Sequence, residues 1–229
     1  MAETILIGST GVVVELRRSS RARRMTLRLS NATGVATLTL PKRVGLGDAV
    51  AFAERQYDWL LRNLAKRPVR TTVQLCQTLP FRGKGVHLAK GGGRSVGFDG
   101  ESLTVPGHPD LVGRKLQGWL RAQARIDLTH ASLYYAEKLG RQFTNITLRD
   151  TRSRWGSCSS GGSLMYSWRL ILAPTAVLDY VAAHEVAHLA VMNHSAEFWL
   201  QLGALKPDYA ENRDWLRKNG SVLHSYDFS

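Results

Sequence analysis

The chain has 229 residues, 44% hydrophobic and 21% charged, enough for a sizeable core in an ordinary soluble globular protein. No uncharged apolar run is long enough to span a bilayer, and the first residues lack the basic-then-apolar order of a secretory signal. A cytoplasmic setting with reduced Cys76 and Cys158 is therefore expected.

The formal net charge of +13 is uneven. Residues 1–70 carry thirteen Lys/Arg against five Asp/Glu, residues 71–150 eleven against six, and residues 151–229 seven against seven. Such an excess invites a polyanion, nucleic acid or nucleotide, at the N-terminal part, though solvated arginine-rich strand faces account for it equally.

The first hundred residues read mainly as strands. GVVVELRR and RRMTLRLS flank a polar turn at Ser19–Ser20, and Met25 to Leu29 alternates with period two. A turn at residues 31–34 leads into VATLTL, which Pro41 ends. From Leu46 to Arg67 one helix is expected. Val50, Ala53, Tyr57, Leu60, Leu61 and Leu64 form its apolar stripe, with Asp48 at the start and basic residues at the end. Residues 71–105 return to short strands, with hairpins around FRGKGVHLAK and SVGFDGESLTV. Gly91–Gly93 lack the Lys-Ser/Thr element and following helix of a phosphate loop, and read as a hairpin tip.

A long helix from Asp110 ends at Gly140, a suitable left-handed cap; His130 lies on it with no partner at ligand spacing. FTNITLRD is a strand. TRSRWGSCSSGGSLMYSWRLILAP looks like two strands around a Ser159–Gly162 turn, closed by Pro174. Two short helices close the chain, HSAEFWLQLGAL and one after Pro207. The pattern is α+β, with a β-rich region over 1–105 and a metal-binding region over 106–229, as two domains or one integrated domain.

The chemistry concentrates in VLDYVAAHEVAHLAVM. The segment is apolar and free of Gly and Pro from Val177 to Met192, so it should be helical. Residues four apart on a helix sit about 40° apart on one face, so His184 and His188 can reach one cation. Glu185 then lies near the open coordination position, where it can take a proton from water. A catalytic zinc usually takes three protein ligands, and His194 is the natural third. It lies roughly 280° further round an unbroken helix, so the helix must stop first. Met192-Asn193 offers that stop through a left-handed cap, and Ser195 reads as the N-cap of the next helix, with Glu197 in its first turn.

Several segments together resemble one family. RSRWGSCSS at 152–160, SWRLILAP at 167–174, DYVAAHEVAHL at 179–189 and NHSAEFW at 193–199 are similar to the YgjP-like family of bacterial zinc-dependent hydrolases, itself related to SprT-like and WLM metallopeptidases. The RARRMTLRLS strand, Pro41, the DWLL helix and FRGKGVHL follow in the same order, so the resemblance spans about residues 15–215. It implies a minimal zincin-like fold in which the HExxH helix packs on a small sheet. His184, His188 and His194 would be the zinc ligands and Glu185 the catalytic carboxylate, with a peptide or protein as substrate.

In the RWGSC segment, Arg152 and Arg154 would alternate on one strand face, with Trp155 and Ser157 on the other. Such a strand can bind an extended peptide by β-augmentation, and its arginines can clamp carboxylate or phosphate. Equally, Trp155 and Trp168 read as core anchors, with Gly156 permitting close packing on the metal helix. Cys158 reads as a small buried side chain; as a fourth ligand it would close the site. Three functions stay open on the residues alone: a zinc peptidase, a metal-dependent nucleotide phosphohydrolase, and a nucleic-acid-associated protein with structural zinc.

Overall fold

Residues 3–30, 34–65 and 68–229 are described by the computed structural model, in which the chain divides into two units, Met1–Val69 and Arg70–Ser229. The architecture is α+β, with several small sheets and six α-helices among the described residues.

In the first unit, β1 (Glu3–Ile7), β2 (Val12–Ser19), β3 (Thr26–Leu29) and β4 (Ala36–Pro41) form one sheet of order β1-β2-β4-β3. The outer pairs are antiparallel and β2–β4 is parallel, so the two arginine-rich strands flanking Ser19–Ser20 are separated by β4. Period-two alternation buries Ile5, Ile7, Val14, Leu16, Leu38 and Leu40 against Ala49 and Ala53 of α1 (Leu46–Arg55) and Leu60 of α2 (Tyr57–Ala65).

The single expected helix is broken at Gln56, whose N–H closes a tight turn onto Ala53 O at 3.0 Å. The break serves a tertiary contact: the Tyr57 hydroxyl bonds Thr10 Oγ1 at 2.7 Å. Gly8, at φ +67°, lies so close that a Cβ there would stand 2.0 Å from the Tyr57 ring. Most of the expected turn at 31–34 and the expected helix end at 66–67 fall outside the described residues.

The second unit begins with β5 (Thr71–Thr72), then β6 (Thr78–Phe81), β7 (Lys84–Gly91), β8 (Gly97–Phe98) and β9 (Ser102–Pro106). The last four form a sheet of order β6-β7-β9-β8, with β7 and β9 parallel. Gly91–Gly93 therefore do not form a hairpin tip. They begin the link that carries the chain from β7 past the position of β9 to the sheet edge at β8. Next comes α3 (Val112–Leu139), ended by Gly140 at φ +64°.

A three-stranded sheet follows, with β10 (Asn145–Arg149), β11 (Gly156–Cys158) and β12 (Ser163–Ser167) in the order β10-β12-β11. Trp168–Leu172, expected as strand, is a buried 3-10 turn. Then come α4 (Thr175–Ala187), α5 (Ala196–Leu205), α6 (Tyr209–Leu223) and β13 (Tyr226–Asp227). β13 pairs with β5, joining the end of the unit to its start.

The strands of residues 71–105 share one core with the helices. Leu79, Phe81, Leu88 and Leu103 pack in the same cluster as Leu116, Trp168, Val181 and Phe198. α4 runs through the middle of that core, which is why its sequence is apolar on every side rather than striped. No helix among the described residues is long and apolar enough to cross a membrane.

Arg169 ties the 3-10 turn to the C-terminal segment. Its guanidinium donates to both Asp150 oxygens, at 2.6 and 3.1 Å, and to the carbonyls of Leu223 and Tyr226, each at 2.9 Å. Beside it, His224 stacks on Trp155 with ring centroids 4.8 Å apart, and its buried Nδ1 has no hydrogen-bond partner among the described residues. Burial, then the Arg169 charge, pulls the His224 pKa down to about 4. The unfolded chain takes up that proton near pH 6.5 and the native one does not, so stability falls as pH drops from about 6.5 toward 4. His224→Phe keeps a ring on Trp155 and is expected to flatten this part of the profile. Urea midpoints of both proteins at pH 7 and 5 check it, and equal shifts in the two would exclude His224 as the source.

Candidate metal centre

α4 ends at Ala187, five residues before the expected stop, and His188 is its cap residue. Cys76 and Arg82 are the only described non-glycine residues with positive φ, so Asn193 is not a left-handed cap. The chain reverses through tight turns instead. The N–H groups of Leu189, Ala190 and Val191 bond back to the carbonyls of Val186 and Ala187. Asn193 contributes through its side chain, Oδ1 accepting from the Ser195 N–H at 3.1 Å. Ser195 precedes α5, and Glu197 lies in the first turn, but the Ser195 hydroxyl makes no capping bond.

This reversal returns His194 to the face of α4 that carries His184 and His188. Nε2 of His194 lies 3.1 Å from Nε2 of His184, and ligating atoms of all three rings lie within 4.8 Å of one another. Two nitrogens bound to one tetrahedral zinc at about 2.0–2.1 Å each stand about 3.3 Å apart, so the spacing fits. The tautomer of His188 fits as well. Its Nδ1 pairs with the Val191 carbonyl at 2.9 Å, and since a carbonyl only accepts, Nδ1 carries the proton and Nε2 keeps its lone pair. Burial, then His188 and His194, pulls His184 down to about 3, which keeps this ring neutral as a metal ligand must be.

Glu185 is 6% exposed and faces β11. A Cβ on Gly156 would lie 2.5 Å from its Oε1 and 2.8 Å from Cδ, so a side chain there would invade the carboxylate. Burial pushes the Glu185 pKa up to about 8, while the Arg154 charge and the Cys158 backbone N–H pull it back. β11 is an edge strand. Ser167 N–H donates to Trp155 O and Ser159 N–H to Ser163 O, so the intervening alternation turns the backbone groups of Gly156 and Cys158 away from β12.

The expected strand alternation of Arg152 and Arg154 does not occur. The strand starts only at Gly156, and both arginines lie exposed on the preceding turn. Ser157 sits half-buried in mid-strand. Trp155 packs on His224 and against Gly220, and Trp168 is fully buried, so both tryptophans are core anchors. Cys158 stays outside the three-histidine group; burial and the Glu185 charge push its thiol up to about 11.

Aromatic rings that the sequence reading passed over enclose the imidazoles. Phe198 stacks on His188 at 4.4 Å and meets His184 and His194 edge-on. Trp199 tilts over His194 at 5.7 Å, and the Arg213 guanidinium lies 5.0 Å from the centroid of the Trp199 ring. Tyr180 lies 5.9 Å from His184. Helical spacing signalled Tyr180, four residues before His184; nothing in the sequence signalled Arg213.

The description "YgjP-like, metallopeptidase domain" matches residues 23–219. The chain belongs to the YgjP-like metallopeptidase family. The match takes in the whole three-histidine segment, the β11 strand and most of both units. No curated protein and no solved structure matches the chain. The family name points to a metal, and the grouped nitrogens of His184, His188 and His194 are the described residues able to hold one.

Proposed function

We propose that this YgjP-like chain is a zinc-dependent hydrolase, a metallopeptidase of minimal zincin design in which α4 packs on the β10-β12-β11 sheet. His184, His188 and His194 hold the ion and Glu185 is the general base. The observation that carries this reading is the convergence of three imidazoles beside one buried carboxylate that faces an edge strand. An all-nitrogen donor set suits zinc better than harder ions. When bound, zinc supplies Lewis acidity, polarising a carbonyl oxygen and acidifying water.

The chain's own groups do the rest. Glu185 takes the proton of the attacking water and passes it to the leaving amine nitrogen. The outward backbone groups of Gly156, with the Cys158 carbonyl, offer an extended peptide a template for strand addition. Arg154 stands at the entry to that strand within electrostatic reach of Glu185, and Arg152 and Ser157 flank it as further substrate contacts. A nucleotide or other phosphoanhydride is the runner-up substrate. Phosphoryl-transfer sites favour carboxylate and water ligands, which three histidines do not provide. A structural zinc would be closed by a fourth ligand, and Cys158 is not in the group.

Elemental analysis of protein purified without added metal is expected to give about one zinc per chain, lost in His194→Ala. Metal retained by that variant would remove the three-histidine assignment. Turnover by the zinc-loaded protein of a peptide library, and not of a nucleotide panel, is the expected outcome for substrate class.

A further inference from the structure

We infer that the first unit carries a binding site for single-stranded nucleic acid, formed where the β2–β3 connection meets the loop after β4 and the two helices. Two clefts of different chemistry lie there, lined by consecutive stretches of the chain. One, of about 620 Å³, is lined by Ser19, Arg23, Lys42 and Arg43 among others. The other, of about 300 Å³, is lined by Arg24, Met25, Leu27, Phe52 and Trp59. Because Arg23 lines the first and Arg24 the second, the clefts sit one residue apart along the chain.

The first cleft has the charge for phosphate. Residues 1–69 hold twelve Lys/Arg against five Asp/Glu, and among the described residues none of Arg23, Arg24, Lys42 and Arg43 is ion-paired. Arg18 plays a different part. It pairs with Glu3 at 3.2 Å and donates to the carbonyls of Lys42 and Val44 at 3.2 and 2.8 Å. That pins the loop bearing Lys42 and Arg43, so the cations are held in place before a ligand arrives and less ordering cost remains on binding.

The second cleft has the surface for a base. Met25, Leu27 and Phe52 pack against the core of the unit, Trp59 is 37% exposed, and the Arg55 guanidinium lies 5.9 Å over the Phe52 ring. Aromatic faces next to guanidinium groups, beside a cationic groove, are how single strands are held without base readout. A duplex can present phosphates to the first cleft, but its stacked bases cannot enter the second. The pairing of the two clefts therefore selects unpaired strands. Thirty-five positions separate Arg24 from Trp59, so no stacking partner for the arginines shows in the sequence.

Fluorescence anisotropy of the full chain with labelled oligothymidylate and with a duplex of equal length, at 50 and 200 mM KCl, tests the site independently of any hydrolysis. The single strand is expected to bind about tenfold tighter, with a log–log salt slope near −2 from about three phosphates at about 0.7 each. Lys42→Gln with Arg43→Gln should cut that slope by about 1.4. Trp59→Ala should weaken the single strand about tenfold and leave the salt slope unchanged, with Trp59→Phe restoring most of the loss because it keeps a stacking face. No binding at 50 mM KCl, equal affinity for the duplex, or indifference to Trp59→Ala each overturns the proposal.

Discussion

Glu185→Gln is expected to keep zinc and fold while losing hydrolysis by about 10²–10⁴-fold, the usual worth of a positioned general base. The amide has the shape of the carboxylate and can still accept from the Cys158 N–H, so the packing against Gly156 is preserved. What it lacks is a lone pair basic enough to take the proton of the attacking water. Zinc stoichiometry and thermal unfolding, measured beside turnover of the best peptide from a library, separate the possibilities. Activity within a few-fold of the parent would remove Glu185 as the base. Zinc loss would make it a support of the metal rather than a participant in proton transfer.

Gly156→Ala is expected to lower turnover by about 10- to 100-fold with zinc content unchanged. The new Cβ would stand 2.5–2.8 Å from Oε1, Cγ and Cδ of Glu185, closer than real Cβ contacts occur. The carboxylate is buried between α4 and β11, so relief requires either a turned Glu185 or a displaced strand. Either one moves the base relative to the substrate template, and a misplacement of about 1 Å can cost about 10²-fold in rate. The atoms nearest the new Cβ all belong to Glu185 and none to a histidine, so metal affinity should not follow activity. Paired measurements of kcat and zinc content provide the check. An alanine variant as active as the parent would show that the close approach of strand and carboxylate is a packing detail.

The local part of this protein was legible in its residues. Helical rotation alone brings His184 and His188 to one face and places Glu185 beside them, because a helix is set by contacts within four residues. The same holds for the end of α3 at Gly140, where a left-handed position calls for glycine. Family membership was legible for the same reason, since its motifs are short and contiguous.

What lay beyond was decided by contacts distant in sequence. Alternation marks β2, β3, β7 and β9 as strands but is silent on partners, so the intervening β4 and the parallel β7–β9 pair could not be read. The break at Gln56 serves a bond from Tyr57 to Thr10, forty-seven positions away. The turn after His188 depends on backbone bonds and the Asn193 side chain rather than on a left-handed residue. Gly156 against Glu185, Phe198 against the three imidazoles, and Trp59 beside Arg24 are all meetings of separate elements. Burial of apolar faces in a shared core chooses those partners, and that choice is made by the packing of the whole unit rather than by any one segment.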